Sequence, residues 1–147
     1  MISGKFIRGN DDLSECLAIR QAVLGEGVNE MDARAIHALL YDDEHKPVAT
    51  GRLYIDNEGY WRLDSVCVRQ DMQRKQLGDL VMRMILDKAM QAGARMFRLT
   101  TPLDVKDFFL LYGFEAYAQQ PERLDMEATD ESIVKAVFSG CRGEQFI

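Results

Sequence analysis

The stretch LDSVCV-RQDMQRKQ-LGDLVMRMILDKAMQAG, residues 63–93, decides how this chain folds. Residues 63–68 have the largely apolar, partly β-branched character of a central strand, and the polar, basic residues 69–76 predict a loop. From Leu77 onward, apolar residues recur every three or four positions, which predicts a helix capped at Gly93. The predicted buried stripe of this helix is Leu80, Val81, Met84, Ile85 and Ala89.

A basic loop between a strand and a helix is suited to binding an anion. The first turn of a helix has unpaired N–H groups, and the helix dipole adds partial positive charge there. Gly78 allows close approach to the backbone, and Arg74 and Lys75 supply countercharge. These residues predict a phosphate or pyrophosphate site. An ordinary connection with a solvated loop explains the same residues, and composition does not separate the two.

The residues around this loop match a known pattern. Residues 66–68 and 73–78 read VCV and QRKQLG, and they resemble the acetyl-CoA motif of the GCN5-related N-acetyltransferases, the GNAT superfamily. That motif is Gln/Arg-x-x-Gly-x-Gly/Ala between a central strand and a long helix. Gln73 and Gly78 match it, whereas Gln76 stands at the first glycine.

A second segment strengthens the resemblance. Residues 108–114, FFLLYGF, are similar to the family's Phe-Tyr-x-x-x-Gly-Phe segment, with Phe109 at the tyrosine position. The resemblance implies a mixed α/β fold whose sheet is mostly antiparallel, with one parallel, splayed strand pair and flanking helices. We expect residues 1–147 to form a single domain, with its core at about 5–127 and a C-terminal segment at 128–147.

The resemblance also implies that acetyl-CoA is the co-substrate. Its acyl-pantetheine arm would lie in the gap between the splayed strands, which in this chain opens near Thr100. The residues implied to bind acetyl-CoA are Val66, Cys67, Val68, Gln73, Arg74, Lys75, Gln76, Leu77, Gly78, Asp79, Thr100, Phe108 and Phe109.

Acetyl transfer to an amine needs a polarised carbonyl, a route for the amine proton and a stabilised thiolate. The backbone N–H of Val68 or a neighbour is a candidate oxyanion donor. Asp64 is the candidate base, since it lies on the strand beside the expected cleft. Alternatively, Asp64 is a strand carboxylate paired with Arg52 or Arg62.

The candidate acid departs from the family pattern. Phe109 cannot donate a proton. Tyr112 lies three residues on, on the same helical face, and is therefore the candidate acid, although a packed aromatic is an equal interpretation.

The remaining chain predicts an ordinary mixed domain. Predicted strands cover residues 5–8, 35–42, 47–55, 60–68, 95–100, 115–117 and 123–127. Predicted helices cover residues 12–23, a turn at 31–34, 105–111 and 129–138. The strands from 35 to 68 form an antiparallel meander, and the strand at 95–100 runs parallel to that at 63–68 because a helix joins them.

The last helix has an apolar face of Ile133, Val134, Val137 and Phe138, and Gly140 and Gly143 would end it. This face would either cover the sheet or meet a second subunit in a homodimer.

Several polar residues in the first half of the chain are candidates for roles at the site. In the family, the first helical region often borders the acceptor cleft, so Glu26, Glu30 and Asp32 would attract a cationic amine there; a solvated acidic loop is the alternative. His37, inside a strand, is interpreted as structural, and His45, in a turn, as solvated.

Composition excludes several classes of function. The net charge of −6 argues against nucleic-acid binding through a basic surface, and no apolar run is long enough for a membrane span. Cys16, Cys67 and Cys141 lack metal-ligand spacing, so we expect free thiols, no metal and, without a signal-peptide pattern, a cytoplasmic protein. Cys67 is interpreted as a small buried residue rather than a nucleophile.

Three functions fit these residues, one of them a degenerate fold that binds no CoA. The first is an N-acetyltransferase that moves an acetyl group from acetyl-CoA to an amine of a small molecule or peptide by direct attack. The second is an acyl-CoA-binding sensor or interaction module of the same fold without turnover, which the departures at Gln76 and Phe109 favour.

Overall fold

The computed structural model describes residues 1–139, which form one seven-stranded sheet with helices packed against it. The strands are β1 (Ser3–Arg8), β2 (Ile36–Tyr41), β3 (Pro47–Ile55), β4 (Trp61–Val68), β5 (Met96–Pro102), β6 (Glu115–Gln119) and β7 (Arg123–Thr129). The helices are α1 (Ser14–Leu24), α2 (Leu77–Gln91), α3 (Lys106–Leu110) and α4 (Asp130–Ile133), which continues as a π-helical segment over Val134–Ser139. None of the helices in this described part is long and apolar enough to cross a membrane.

The sheet confirms the predicted mixed topology. Its strand order is β1-β2-β3-β4-β5-β7-β6, and every neighbouring pair is antiparallel except β4 and β5. That parallel pair is held at only two positions, Trp61 beside Phe97 and Arg62 beside Arg98. Beyond Arg62 the two strands diverge, so the splay implied by the family resemblance is present.

Helix α2 packs on the sheet through a face slightly different from the predicted one. Val81, Ile85 and Ala89 are buried as expected, but Leu80 is 37% exposed, so its prediction was wrong. The buried set is completed instead by Leu77, Met82 and Leu86. Apolar residues occupy nearly the whole helix between residues 80 and 86, so their spacing indicates a helix without fixing the centre of its buried face. Gly93 has φ +90° and ends the helix as predicted.

A β-bulge distorts β4 at the start of the splay. Ser65 and Val66 together lie opposite the single residue Gly51 of β3, and Ser65 takes a positive φ of 53°. A Cβ atom at Gly51 would lie 2.6 Å from Ile85 Cδ1 and 2.7 Å from Val81 Cγ1. The glycine therefore allows α2 to approach the sheet directly behind the bulge.

The C-terminal segment covers the sheet. Thr129 and Ser132 form a reciprocal capping box that starts α4. Ile133 and Val137 are buried in the same core cluster as α2, whereas Val134 is 40% exposed, so its inclusion in the apolar face was wrong. Gly140 and Gly143, the predicted helix terminators, lie outside the described residues.

Candidate active site

Two adjoining clefts lie at the splay, one along the end of β4 and the other between β4 and β5. The first has a volume of about 950 Å³ and is lined by Val23, Leu24, Val66, Cys67, Val68, Gln73, Arg74, Gln76, Leu77, Gly78, Asp79, Val105, Phe108, Phe109, Leu111 and Tyr112. The second has a volume of about 500 Å³ and is lined by Leu24, Glu26, Asn29, Arg52, Arg62, Leu63, Asp64, Ser65, Val66, Leu99, Thr100, Thr101, Pro102, Val105, Phe109 and Arg123. Both clefts share Leu24, Val66, Val105 and Phe109, so they meet at the bulge.

The loop before α2 shapes one end of the first cleft. Gln73 Nε2 donates to the carbonyl oxygen of Val68 at 3.0 Å, which ties the loop to the end of β4. Arg74 and Gln76 have positive φ values of 66° and 64°, a backbone conformation that strongly favours glycine. Gln76 is the N-cap of α2 and makes no side-chain capping bond. The N–H groups of the first helical turn are therefore available to an anion.

Aromatic rings close the opposite wall of the first cleft. The rings of Phe108 and Tyr112 meet edge to face, with centroids 5.2 Å apart, and Phe109 contacts Phe108 in the same way at 5.1 Å. A Cβ atom at Gly78 would lie 3.8 Å from the Phe108 ring. This wall therefore packs close to the start of α2.

Tyr112 is anchored to α2 rather than free in the cleft. Its hydroxyl donates to Asp79 Oδ1 at 2.6 Å, and Asp79 Oδ2 accepts from Arg83 Nε at 2.9 Å. Burial and the bond to the Asp79 carboxylate both raise the pKa of Tyr112. The phenol therefore stays protonated at neutral pH, with its proton directed at Asp79.

The second cleft contains the predicted base in an ion pair. Arg52 binds both carboxylate oxygens of Asp64, at 2.7 and 2.8 Å. Arg62 instead donates to Thr100 Oγ1 at 3.1 Å. Of the alternatives for Asp64, the pair with Arg52 is therefore present. The Asp64 side chain is nevertheless 31% exposed, and it lines the cleft.

A buried charge network lies beneath this pair. Asp32 accepts two bonds from Arg20, at 2.6 and 2.9 Å, and a third from Arg52 at 3.1 Å. Burial opposes ionisation of Asp32, but hydrogen bonds from Arg20 and from the Asn29 N–H outweigh it and hold its pKa below the usual range.

Of the three acidic residues predicted near the acceptor, only Glu26 lines the cleft. Asp32 is 2% exposed and serves the network, so its prediction as a substrate-facing group was wrong. Glu30 is exposed outside both clefts.

His37 and Cys67 are both buried, as predicted. His37 Nε2 lies 3.2 Å from the carbonyl oxygen of Asp32, and burial lowers the pKa of its imidazole. Burial raises the pKa of the Cys67 thiol to about 12, so it is un-ionised at neutral pH and a poor nucleophile. Within residues 1–139, no group of three His, Cys, Asp or Glu side chains is placed to hold a metal ion.

Comparison with known proteins identifies the family. Residues 11–114 match the model of the acetyltransferase (GNAT) family. The chain belongs to the GNAT family. Its fold is similar to that of an acyl-CoA N-acyltransferase from Pseudomonas aeruginosa, with a TM-score of 0.76, 17% identity, and 87% and 99% of the two chains covered. It is also similar to Escherichia coli ElaA, with a TM-score of 0.72, 17% identity and the same coverage.

A third structure has a similar fold. The ribosomal-protein-S18-alanine N-acetyltransferase from Escherichia coli superimposes with a TM-score of 0.70 and 16% identity, over 88% of this chain and 94% of that one. At these identities the likeness establishes the shared fold. Membership of the GNAT family supports acyl transfer from an acyl-CoA co-substrate to an acceptor amine in general.

The GNAT motif residues gather as the sequence predicts, with two exceptions. Most of the residues implied to bind acetyl-CoA line the first cleft together. Lys75 does not line it, and its Nζ lies 3.9 Å from Met72 Sδ. Thr100 lines the second cleft instead.

The sequence did not reveal the residues that other elements bring to the clefts. The end of α1 contributes Val23 and Leu24, and β7 contributes Arg123, which lies far beyond the loop motif in sequence. No local pattern marks these residues.

Proposed function

We propose that this GNAT chain transfers the acetyl group of acetyl-CoA to the amine of a small molecule or peptide by direct attack. One observation carries this proposal: beyond Arg62 the β4 backbone has no pairing with β5, and the gap joins a large apolar cleft to a smaller polar one. Two co-substrates entering from opposite sides would meet there. We also propose a cytoplasmic location, on the basis of the sparse, unpaired cysteines Cys16 and Cys67.

The first cleft fits acetyl-CoA. Its apolar lining suits an acyl-pantetheine arm, and the unpaired edge of β4 offers backbone partners for the amides of that arm. The first turn of α2 offers N–H groups to a pyrophosphate, and Arg74 adds countercharge at the same end. Gly78 leaves this approach open, because a side chain there would reach toward Phe108.

Bound acetyl-CoA would supply an activated acyl carbonyl at the junction of the clefts. We assign its polarisation to a β4 backbone N–H at or beside Val68. We assign acceptance of the amine proton to Asp64, directly or through water, because it lines the second cleft beside the bulge and Arg52 holds its carboxylate in a fixed orientation. Both Asp64 oxygens already accept bonds from Arg52, so the proton must approach a remaining lone pair.

We retain Tyr112 as the candidate acid for the departing thiolate. Its proton points at Asp79, so donation would require the hydroxyl to turn away from that carboxylate. Its raised pKa keeps the proton available at neutral pH but weakens the driving force for donation. Tyr112 therefore stabilises the thiolate less effectively than a free phenol would.

A second function has specific support. Phe109 lies at the junction of the clefts, where the family pattern has a tyrosine, and its ring offers no proton. A chain that binds acyl-CoA without turnover, as a sensor or interaction module, would tolerate this change.

Calorimetric titration with acetyl-CoA, with CoA and ATP as controls, tests the proposal first. We expect binding selective for the CoA species, followed by CoA release when amines are supplied. Selective binding of acetyl-CoA without release of CoA in the presence of any amine tested would favour the sensor function. Absence of binding at millimolar acetyl-CoA would refute both functions.

A further inference from the structure

The second cleft has an uneven distribution of charge. Three arginines line it, Arg52, Arg62 and Arg123, together with the carboxylates of Glu26 and Asp64. Arg52 bonds to Asp64 and to Asp32 of the buried network, so the charges of Arg52 and Asp64 cancel within the cleft. What remains is one carboxylate and two guanidinium groups.

These remaining charges lie on different walls. Glu26 follows α1, and its Oε1 accepts from Ser65 Oγ of the β4 bulge at 3.0 Å. Arg123 begins β7 and lies beside Pro102 at the end of β5, across the splay. The negative charge is therefore at the bulge, where the two clefts meet, and a positive charge is on the far wall.

The two arginines are available to a ligand to different degrees. Within residues 1–139, the exposed Arg123 guanidinium has no hydrogen-bond or ion-pair partner. Arg62 donates to Thr100, and its closest carboxylate oxygen belongs to Asp56 at 3.8 Å, beyond hydrogen-bond distance. In a chain with a net charge of −6, two cations with spare donors in one cleft are not a consequence of overall composition.

We propose that the acceptor is an amino carboxylate, a small molecule that carries both the reacting amine and a carboxylate. This inference rests on the proposed acetyl transfer. The amine lies beside Glu26 and the bulge, where the acyl carbonyl would be, and the carboxylate extends to Arg123, with Arg62 as the second donor. Guanidinium groups bind carboxylates through paired, charge-assisted hydrogen bonds. A volume of about 500 Å³ suits a free amino acid better than a folded partner.

The test compares each amino carboxylate with its own carboxamide. CoA release is measured for α-, β- and γ-amino acids, for their amides, and for short peptides with a free C-terminal carboxylate. We expect kcat/KM for the best amino acid to exceed that of its amide about tenfold or more, the effect of one charge-assisted hydrogen bond. Peptides as good as free amino acids would assign the carboxylate to a peptide terminus and overturn the small-molecule inference.

Arg123→Gln should reduce the carboxylate-to-amide ratio toward one by raising KM for the carboxylate. Arg95→Gln is the matched control, because Arg95 is exposed but lines neither cleft. Equal effects of the two substitutions, or equal turnover of acids and amides by the wild type, would overturn the inference.

Calorimetry with acetyl-CoA on the same proteins separates the two levels of proposal. Absence of acetyl-CoA binding by the wild type would overturn the proposed acyl-CoA site itself. Intact binding without turnover of any amino carboxylate would overturn only the acceptor class.

Discussion

Replacing Asp32 by asparagine tests how much the buried charge network beneath the second cleft stabilises the fold. Asp32 is 2% exposed and accepts bonds from Arg20, which is 1% exposed, and from Arg52. Asparagine keeps the size of the side chain and one acceptor oxygen but removes the negative charge. Arg52 would keep Asp64 as a partner, so Arg20 would be left as an uncompensated buried charge.

The expected loss of stability follows from the uncompensated charge of the buried Arg20 guanidinium. Removing one partner of a buried ion pair costs about 3–5 kcal/mol, and the retained amide oxygen places this variant near the lower end, about 3 kcal/mol. For a chain of this size, each kcal/mol lowers the melting temperature by about 2–4 °C. We therefore expect Asp32→Asn to melt about 6–12 °C below the wild type.

Fluorescence of Trp61, the single tryptophan, provides the assay in thermal and urea unfolding. Asp71→Asn is the matched control. Asp71 accepts from Arg69 at 2.6 Å, the same distance as in the Arg20–Asp32 pair, but its side chain is 68% exposed against 2% for Asp32. The control should melt close to the wild type, since water solvates the charges of an exposed pair and weakens their attraction.

Acid unfolding gives an independent check, with the sign set by the lowered pKa of Asp32. The folded-state pKa lies below the unfolded value of about 3.9, so the stabilisation is complete above that pH and is lost as pH falls toward the folded pKa. Asp32→Asn should lack this portion of the acid transition. If Asp32→Asn melts within a degree or two of Asp71→Asn, burial does not make the Arg20–Asp32 pair costly to break, and the reasoning is refuted.

Four further outcomes are expected. Arg74→Glu should weaken acetyl-CoA binding about tenfold or more in calorimetry by reversing the phosphate countercharge; unchanged affinity would remove that site assignment. Tyr112→Phe should lower kcat more than it weakens acetyl-CoA binding, and equal losses would end its role as acid. The free energy of unfolding of the wild type should fall as the pH is lowered from 7.5 to 5.5. The buried His37 has a folded-state pKa below the unfolded value of about 6.5, so the unfolded chain takes up the proton first and is favoured. In His37→Gln the urea midpoint should therefore depend less on pH than in the wild type. Gln76→Gly should preserve acetyl-CoA binding and relieve left-handed strain, and a large loss of binding would show that the Gln76 side chain itself contacts the ligand.

The sequence predicted the fold well because local pattern and family motif agree over the same residues. Helix α2 and its preceding loop are encoded within about thirty consecutive positions, and Gly93 marks the end unambiguously. The orientation of α2 was less predictable, as Leu80 shows. Where apolar residues fill most of a helix, the packing partner selects the buried face, and that partner is distant in sequence.

The candidate site was predictable only where its residues are contiguous. The first cleft is lined mainly by the loop motif, its neighbouring residues and the segment at 108–112, which are visible in the sequence. The second cleft draws Arg52 from β3 and Arg123 from β7, and the buried Asp32, from the turn before β2, lies beneath it and bonds to Arg52. Whether a carboxylate such as Asp32 faces a substrate or pairs with a buried arginine depends on tertiary contacts that no local spacing specifies.

The two departures from the GNAT pattern have different physical consequences. Gln76 adopts the left-handed conformation that explains a glycine at this position, so the backbone path of the loop before α2 is kept and the strain is local. Phe109 keeps its place at the junction of the clefts but lacks a proton, and the nearby Tyr112 is bonded to Asp79. The first change keeps the backbone conformation, whereas the second removes a chemical group. We therefore expect acetyl-CoA affinity to be ordinary for this fold and the chemical step to be slow. A weak affinity for acetyl-CoA combined with fast turnover would contradict this assignment of a backbone effect to Gln76 and a chemical effect to Phe109.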